Sequence, residues 1–147
     1  MEKKMNNKGF SLVELIVVIA IMAVLVGVLA PQFIKYVEKS RESTDIQNAD
    51  SVRTVVESYY ADKDGTSLPG TVEVVITDST ITLKEDAGTP SNTAKALTEA
   101  GVQGAKLKSK KWGSNGIKLV FTTSTSSWTY TGQADYYKAS GDTFIVE

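Results

Sequence analysis

The 147-residue chain contains neither His nor Cys. That removes the Ser–His–Asp triad, the thiol nucleophile, the His/Cys zinc site and the disulfide from the chemistry open to it. What remains is carboxylates, ammonium groups and hydroxyls. The charges, 16 Lys and Arg against 17 Asp and Glu, nearly cancel to a formal −1. No global charge excess therefore points to nucleic acid. No paired acids, P-loop or glycine-rich phosphate cradle is present, so an enzyme is the least supported class and no cofactor is implied. Asp62, Asp64, Asp78 and Asp86 lack EF-hand spacing, so no metal site is assigned.

One carboxylate stands apart. Glu14 sits inside a stretch, Phe10–Ala30, in which only Ser11, Glu14 and Gly27 are not hydrophobic. An acid at membrane depth costs about 2.5–3.5 kcal/mol on insertion scales, so it calls for a partner or a task. A second cluster is cationic: Lys106, Lys108, Lys110 and Lys111, with Trp112 among them and Lys118 nearby. Its default reading is a solvated loop. Its functional readings are DNA, an anionic polysaccharide or, best, the acidic face of another subunit. The hydroxyl-rich Thr122–Ser127 reads as a polar hairpin turn before it reads as a sugar contact.

The elements that must carry these groups follow from hydropathy. Leu15–Ile34 holds no formal charge, and as a helix this run spans ~30 Å, the thickness of a hydrocarbon core. It fits a single-pass anchor. It fits a secretory signal less well: Val28-Leu29-Ala30 loosely resembles a cleavage site, but Pro31 would follow the cut. Neither accounts for Glu14. Pro31 cannot donate to the carbonyl of Gly27, which has the least restrained backbone available, so a kink is expected there.

Beyond the apolar run, Ile46, Ala49, Val52, Val55/Val56 and Tyr59/Tyr60 recur at helical steps. Lys39, Arg41, Glu42, Asp45, Asp50 and Arg53 are expected largely off that stripe. The helix is expected to run to Ala61 and stop at Asp62-Lys63-Asp64-Gly65. Then the period changes. Thr71–Thr77 and Thr80–Lys84 predict a hairpin around Asp78-Ser79, and Pro90–Ala100 a short helix capped by Ser91 or Asn92 and closed by Gly101. Ile117–Thr123 and Trp128–Thr131 predict a second hairpin across Ser124–Ser127, with a last strand at Thr143–Val146. The fold class is α+β: a long N-terminal helix whose apolar half protrudes and whose outer half carries an antiparallel sheet.

The residues around Glu14 resolve the choice among anchor, signal and a third reading. Lys8-Gly9-Phe10-Ser11-Leu12-Val13-Glu14-Leu15 resembles the processing site of type IV prepilins, and the likeness extends through the apolar run to Pro31. It covers about the first 50 residues. The resemblance implies a cleaved leader over residues 1–9 and a transmembrane and assembly helix over 10–34. An amphipathic continuation over 35–61 and a globular head over 62–147 would follow. A prepilin peptidase/methyltransferase would cut after Gly9 and N-methylate Phe10. The family picture pairs Glu14 of one subunit with the Phe10 amine of a neighbour, the alternative being a Glu14 that snorkels to the interface. Gly27 and Pro31 would give the helix flexibility.

The implied function is the major subunit of a type IV pilus, for adhesion, surface motility such as twitching, or biofilm formation. The alternative is a pseudopilin of a type II secretion or competence DNA-uptake system. Implied partners are other copies of the chain, an assembly ATPase, an inner-membrane platform protein, minor pilins and, before assembly, the membrane. Three leader lysines place the N-terminus inside and the C-terminus out, in the cytoplasmic membrane first and a surface pilus later. Loss of the leader leaves 13 positive and 16 negative residues, net −3. Many Gram-negative pilins close a C-terminal loop with a disulfide that this chain lacks. Its Cys-free head is most similar to those of Gram-positive type IV pilins.

Overall fold

The computed structural model describes residues 9–61, 70–86, 97–102 and 104–146. The chain divides into two units, Met1–Val37 and Glu38–Glu147. Helix α1, Leu12–Ala61, begins in the first and ends in the second.

Ser11 opens α1 through its backbone. Its carbonyl accepts the Leu15 N–H at 3.2 Å, and its own N–H donates to Glu14 Oε2 at 2.9 Å. Ser-x-x-Glu is the spacing that lets an acid at the third helical position reach back over the first turn. Pro31 lies inside α1 and does not end it. Every residue from Phe10 to Tyr36 is exposed. The mean hydropathy of the most apolar window reaches 3.1, which makes the helix long and apolar enough to cross a membrane.

The second unit is built from alternation. Strands β1 (Thr71–Ile76), β2 (Ile81–Glu85), β3 (Ile117–Thr122) and β4 (Ser127–Thr131) form an antiparallel sheet in the order β2-β1-β3-β4. Val72, Val74 and Ile76 of β1, Ile117 and Leu119 of β3, and Trp128 and Tyr130 of β4 are buried. They pack in one core with Ala49, Val52, Val56 and Tyr60 of α1. The other face carries Glu73, Val75, Lys118 and Thr131, with Val75 opposite Lys118 and Lys118 opposite Thr131. Period-two burial is what a sheet covered on one side requires.

Gly116, leading into β3, has φ +59, and a Cβ there would lie 2.0 Å from the Ile76 carbonyl oxygen, so no other residue fits. Strand β5 (Tyr137–Ser140) pairs with β6 (Thr143–Val146) in a separate hairpin. That hairpin is tied to β4 by the Tyr130 N–H on the Gly141 carbonyl, at 2.7 Å.

Both expected hairpins and the last strand form where the sequence places them, and β5 is an addition. Of the helix expected over Pro90–Ala100, residues 97–99 are helical, with the Val102 N–H closing on the Leu97 carbonyl. Its start, and the stop expected at residues 62–65, lie outside the described residues. One expectation is overturned. Glu42 and Asp45 are on the buried face of α1, both fully inaccessible. They stand in phase with Ala49, Val52, Val56 and Tyr60 at three- and four-residue steps.

Candidate functional site

The sequence points to the start of α1, and the structure places its residues there in the open. Phe10 is 86% exposed, and Gly9 before it is exposed too. Glu14 lies one turn on, its carboxylate turned back to the Ser11 N–H. Gly27 and Pro31 are exposed, and nothing lies within 4 Å of where a Gly27 Cβ would stand. A single acid among exposed aliphatic side chains, with one backbone donor, retains most of its acceptor capacity.

The head holds a second acidic arrangement. Glu38, Glu42 and Asp45 succeed one another along one face of α1 and take donors from two distant loops. Asp45 accepts the Lys108 N–H (2.6 Å), the Ser109 N–H (2.9 Å) and the Trp112 indole N–H (3.1 Å). Glu42 accepts the Asp135 N–H (3.2 Å) and the Tyr136 N–H (2.9 Å). Glu38 accepts the Ser109 hydroxyl and an Arg41 N–H. Charged acceptors on buried N–H groups are the strong kind of hydrogen bond. Burial pushes the Glu42 carboxyl above its ordinary value, against the two backbone donors, which pull it down.

This clamp corrects the reading of the lysine cluster. Trp112 is buried, with its indole on Asp45 and its ring edge-on to Phe144, so it belongs to no surface patch. Leu107 and Ser109 are buried as well, and the chain between them turns its lysines out. Lys106, Lys108, Lys110 and Lys111 are exposed. Lys111 pairs with Asp135 at 2.8 Å, a contact that raises its pKa and joins the two clamped loops at their rim.

Nearer the C-terminal end of α1, Arg53 lies 5.7 Å from the Trp128 ring centroid and 5.9 Å from that of Tyr130. It is fixed by Glu57 at 2.9 Å, and the Tyr130 hydroxyl donates to Asp50 at 2.9 Å. Burial pushes the Tyr130 phenol up to about 12. None of these groups forms a nucleophile–base pair. Among the described residues no cluster of three or more His, Cys, Asp or Glu is placed to hold a metal.

The prokaryotic N-terminal methylation motif matches residues 4–30. The chain is 36% identical over 59 residues to the type IV major pilin protein PilA of Myxococcus xanthus, covering 40% of this chain and 27% of that one. It is 40% identical over 62 residues to prepilin peptidase-dependent protein A of Clostridium perfringens, covering 42% and 44%. Against the type IV major fimbrial protein FimA of Dichelobacter nodosus it is 31% identical over 108 residues, covering 71% and 67%. The chain thus spans between about a quarter and two thirds of these relatives' lengths. No solved structure matches it. The methylation motif, the long apolar helix leading to an antiparallel sheet, and a FimA likeness that reaches far into the head together place the chain in the type IV pilin family.

Proposed function

We propose that this chain is the major structural subunit of a type IV pilus. It is made as a membrane precursor, cut after Gly9, N-methylated at Phe10, and polymerised through its apolar helix. The observation that carries the reading is the unbroken exposure of Phe10–Tyr36. So large an apolar surface is stable only in lipid or against other copies of itself. In a bundle of such helices Glu14 is the one acid, and the new Phe10 amine is its natural counter-charge. Removing either from a dry bundle leaves a buried charge, at a cost of about 3–5 kcal/mol.

Leader lysines hold the N-terminus in the cytoplasm, so the head is exported and the filament stands on the cell surface. The peptidase/methyltransferase, the assembly ATPase, the platform protein and minor pilins act on the chain in turn. Adhesion, surface motility and biofilm formation are the uses such a filament serves. The role is structural, as the names of the relatives are.

Electron microscopy of sheared surface material, with mass spectrometry of its subunit, tests the reading. Long filaments composed of this chain are expected. A chain found only in the envelope, in short assemblies or none, would point instead to a pseudopilin.

A further inference from the structure

Three lysines beside the clamp carry charge that the chain does not answer. Among the described residues Lys106, Lys108 and Lys110 form no ion pair, whereas Asp135 holds Lys111 and Glu73 holds Lys118. Asp78 borders a cavity together with Lys106 and Lys108 but pairs with neither. Leu107 and Ser109, which alternate with the lysines, are buried. The Leu107 N–H donates to the Thr77 carbonyl at 3.0 Å, and the Lys108 and Ser109 N–H groups donate to Asp45. The loop is thus pinned from within and exposes three ammoniums side by side, where their repulsion favours an anionic partner.

Where the loop is tied decides which anion it meets. Its anchors are Glu38 and Asp45, in the first turns of α1 that belong to the second unit. Ile34, the last residue of the uncharged run, precedes Glu38 by four residues, a reach of at most about 14 Å. Lys35 and Tyr36, between them, are exposed and are of the types that mark a bilayer interface. A bilayer crossed by the apolar run therefore holds its headgroups within chain reach of this end of the head. Tethering gives those headgroups an effective concentration that a polyanion from solution does not have.

We propose that, before assembly, Lys106, Lys108 and Lys110 dock the head on the anionic phospholipids of the bilayer that its own helix crosses. The inference rests on the membrane insertion of the precursor proposed above. Carboxylates around the loop are already engaged: Glu42 and Asp45 are buried on N–H donors, Glu38 takes Ser109 and Arg41, and Asp135 takes Lys111. Trp112 is buried, so it offers the loop no ring on which single-stranded nucleic acid could stack. Each lysine at an anionic surface strengthens docking about fivefold. Three such contacts hold a tethered head and are given up when the helix leaves lipid for the filament.

The test is energy transfer from the two tryptophans, both in the head, to a dansyl-headgroup lipid. The full chain is reconstituted in phosphatidylcholine vesicles carrying increasing phosphatidylglycerol. Transfer is expected to rise to a plateau with phosphatidylglycerol and to fall back in about 1 M salt, where the Debye length is about 3 Å. Lys106→Gln, Lys108→Gln and Lys110→Gln should each weaken docking about fivefold, and the triple variant should abolish the rise. Lys84→Gln should change nothing: Lys84 adjoins Glu85, which accepts the Tyr60 hydroxyl, and Tyr60 is about 33 Å along α1 from Glu38. Transfer indifferent to phosphatidylglycerol or salt, or weakened equally by Lys84→Gln, would overturn the docking and leave membrane insertion standing. Transfer that instead follows protein density in pure phosphatidylcholine would assign the loop to a second copy and overturn it too. Extraction of the chain from the same vesicles by alkaline carbonate would show that it is not inserted, and both readings would fall. Tryptophan emission without the acceptor checks that each variant is folded.

Discussion

Two acids on one helix, Glu14 and Asp45, live by opposite rules. Glu14 sits among exposed aliphatic residues with a single donor, the Ser11 N–H. Asp45 is fully buried and saturated by three donors from residues 108–112. The difference shows which acid is finished by folding and which is not. Asp45 is a structural staple whose partners all come from its own chain. Glu14, in the proposed filament, waits for a partner that arrives only with another copy. One predicts a loss of fold on mutation, the other a loss of assembly without loss of fold.

Breaking Glu14 is expected to give the largest effect. Glu14→Val should be inserted and cleaved normally yet yield few or no filaments, scored by electron microscopy and by immunoblot of sheared material. Its head should melt like the wild type. Normal piliation in that variant would remove the distinction between the two acids.

Asp45→Ala should do the reverse. It strands the Lys108 and Ser109 N–H groups and the Trp112 indole, at a cost of about 3 kcal/mol or more. Unfolding of the solubilised chain, followed by tryptophan fluorescence, measures that cost, and a loss below about 1 kcal/mol would contradict the clamp.

Glu42→Gln sharpens the contrast through pH. The folded pKa of Glu42 is raised, so the native state holds this proton more tightly than the unfolded chain does. Stability from this site is therefore recovered as pH falls toward 4.5 and lost as pH rises through the folded pKa. Acidification from neutral should stabilise the wild type relative to Glu42→Gln, and parallel pH profiles would refute the assignment. The smallest effect is expected at Lys111→Gln. Its pair with Asp135 is half-exposed on both sides, and its loss should change stability by about 0.5 kcal/mol or less, read from the same unfolding curves.

The contrast also marks what the sequence discloses. The residues read as processing and assembly sites lie close together in the sequence, where the likeness to prepilins displays them. Strands β1 to β4 are equally plain, because β-branched residues alternate over turns such as Asp78-Ser79. Strand β5 escapes notice because Tyr137-Lys138-Ala139-Ser140 lacks that signature and its partners are β6 and the segment around Gln133. The clamp is half visible. Glu42 and Asp45 share the phase of Ala49 and Val52, yet acids are assigned to solvent unless donors are in view. Their donors come from 63 to 94 residues away in sequence, beyond any local period. Trp112 is misread for the same reason, since neighbouring lysines suggest a surface while its partner is on α1.

In the proposed filament the Phe10 amine that would pair with Glu14 is created by one covalent event, cleavage after Gly9. Intact-mass and N-terminal sequence analysis of the mature protein reads that event directly. A chain of 138 residues beginning with N-methylated Phe10 is expected, the full 147 less the nine of the leader. A chain still carrying Met1–Gly9 on the cell surface would contradict the pairing of the two groups.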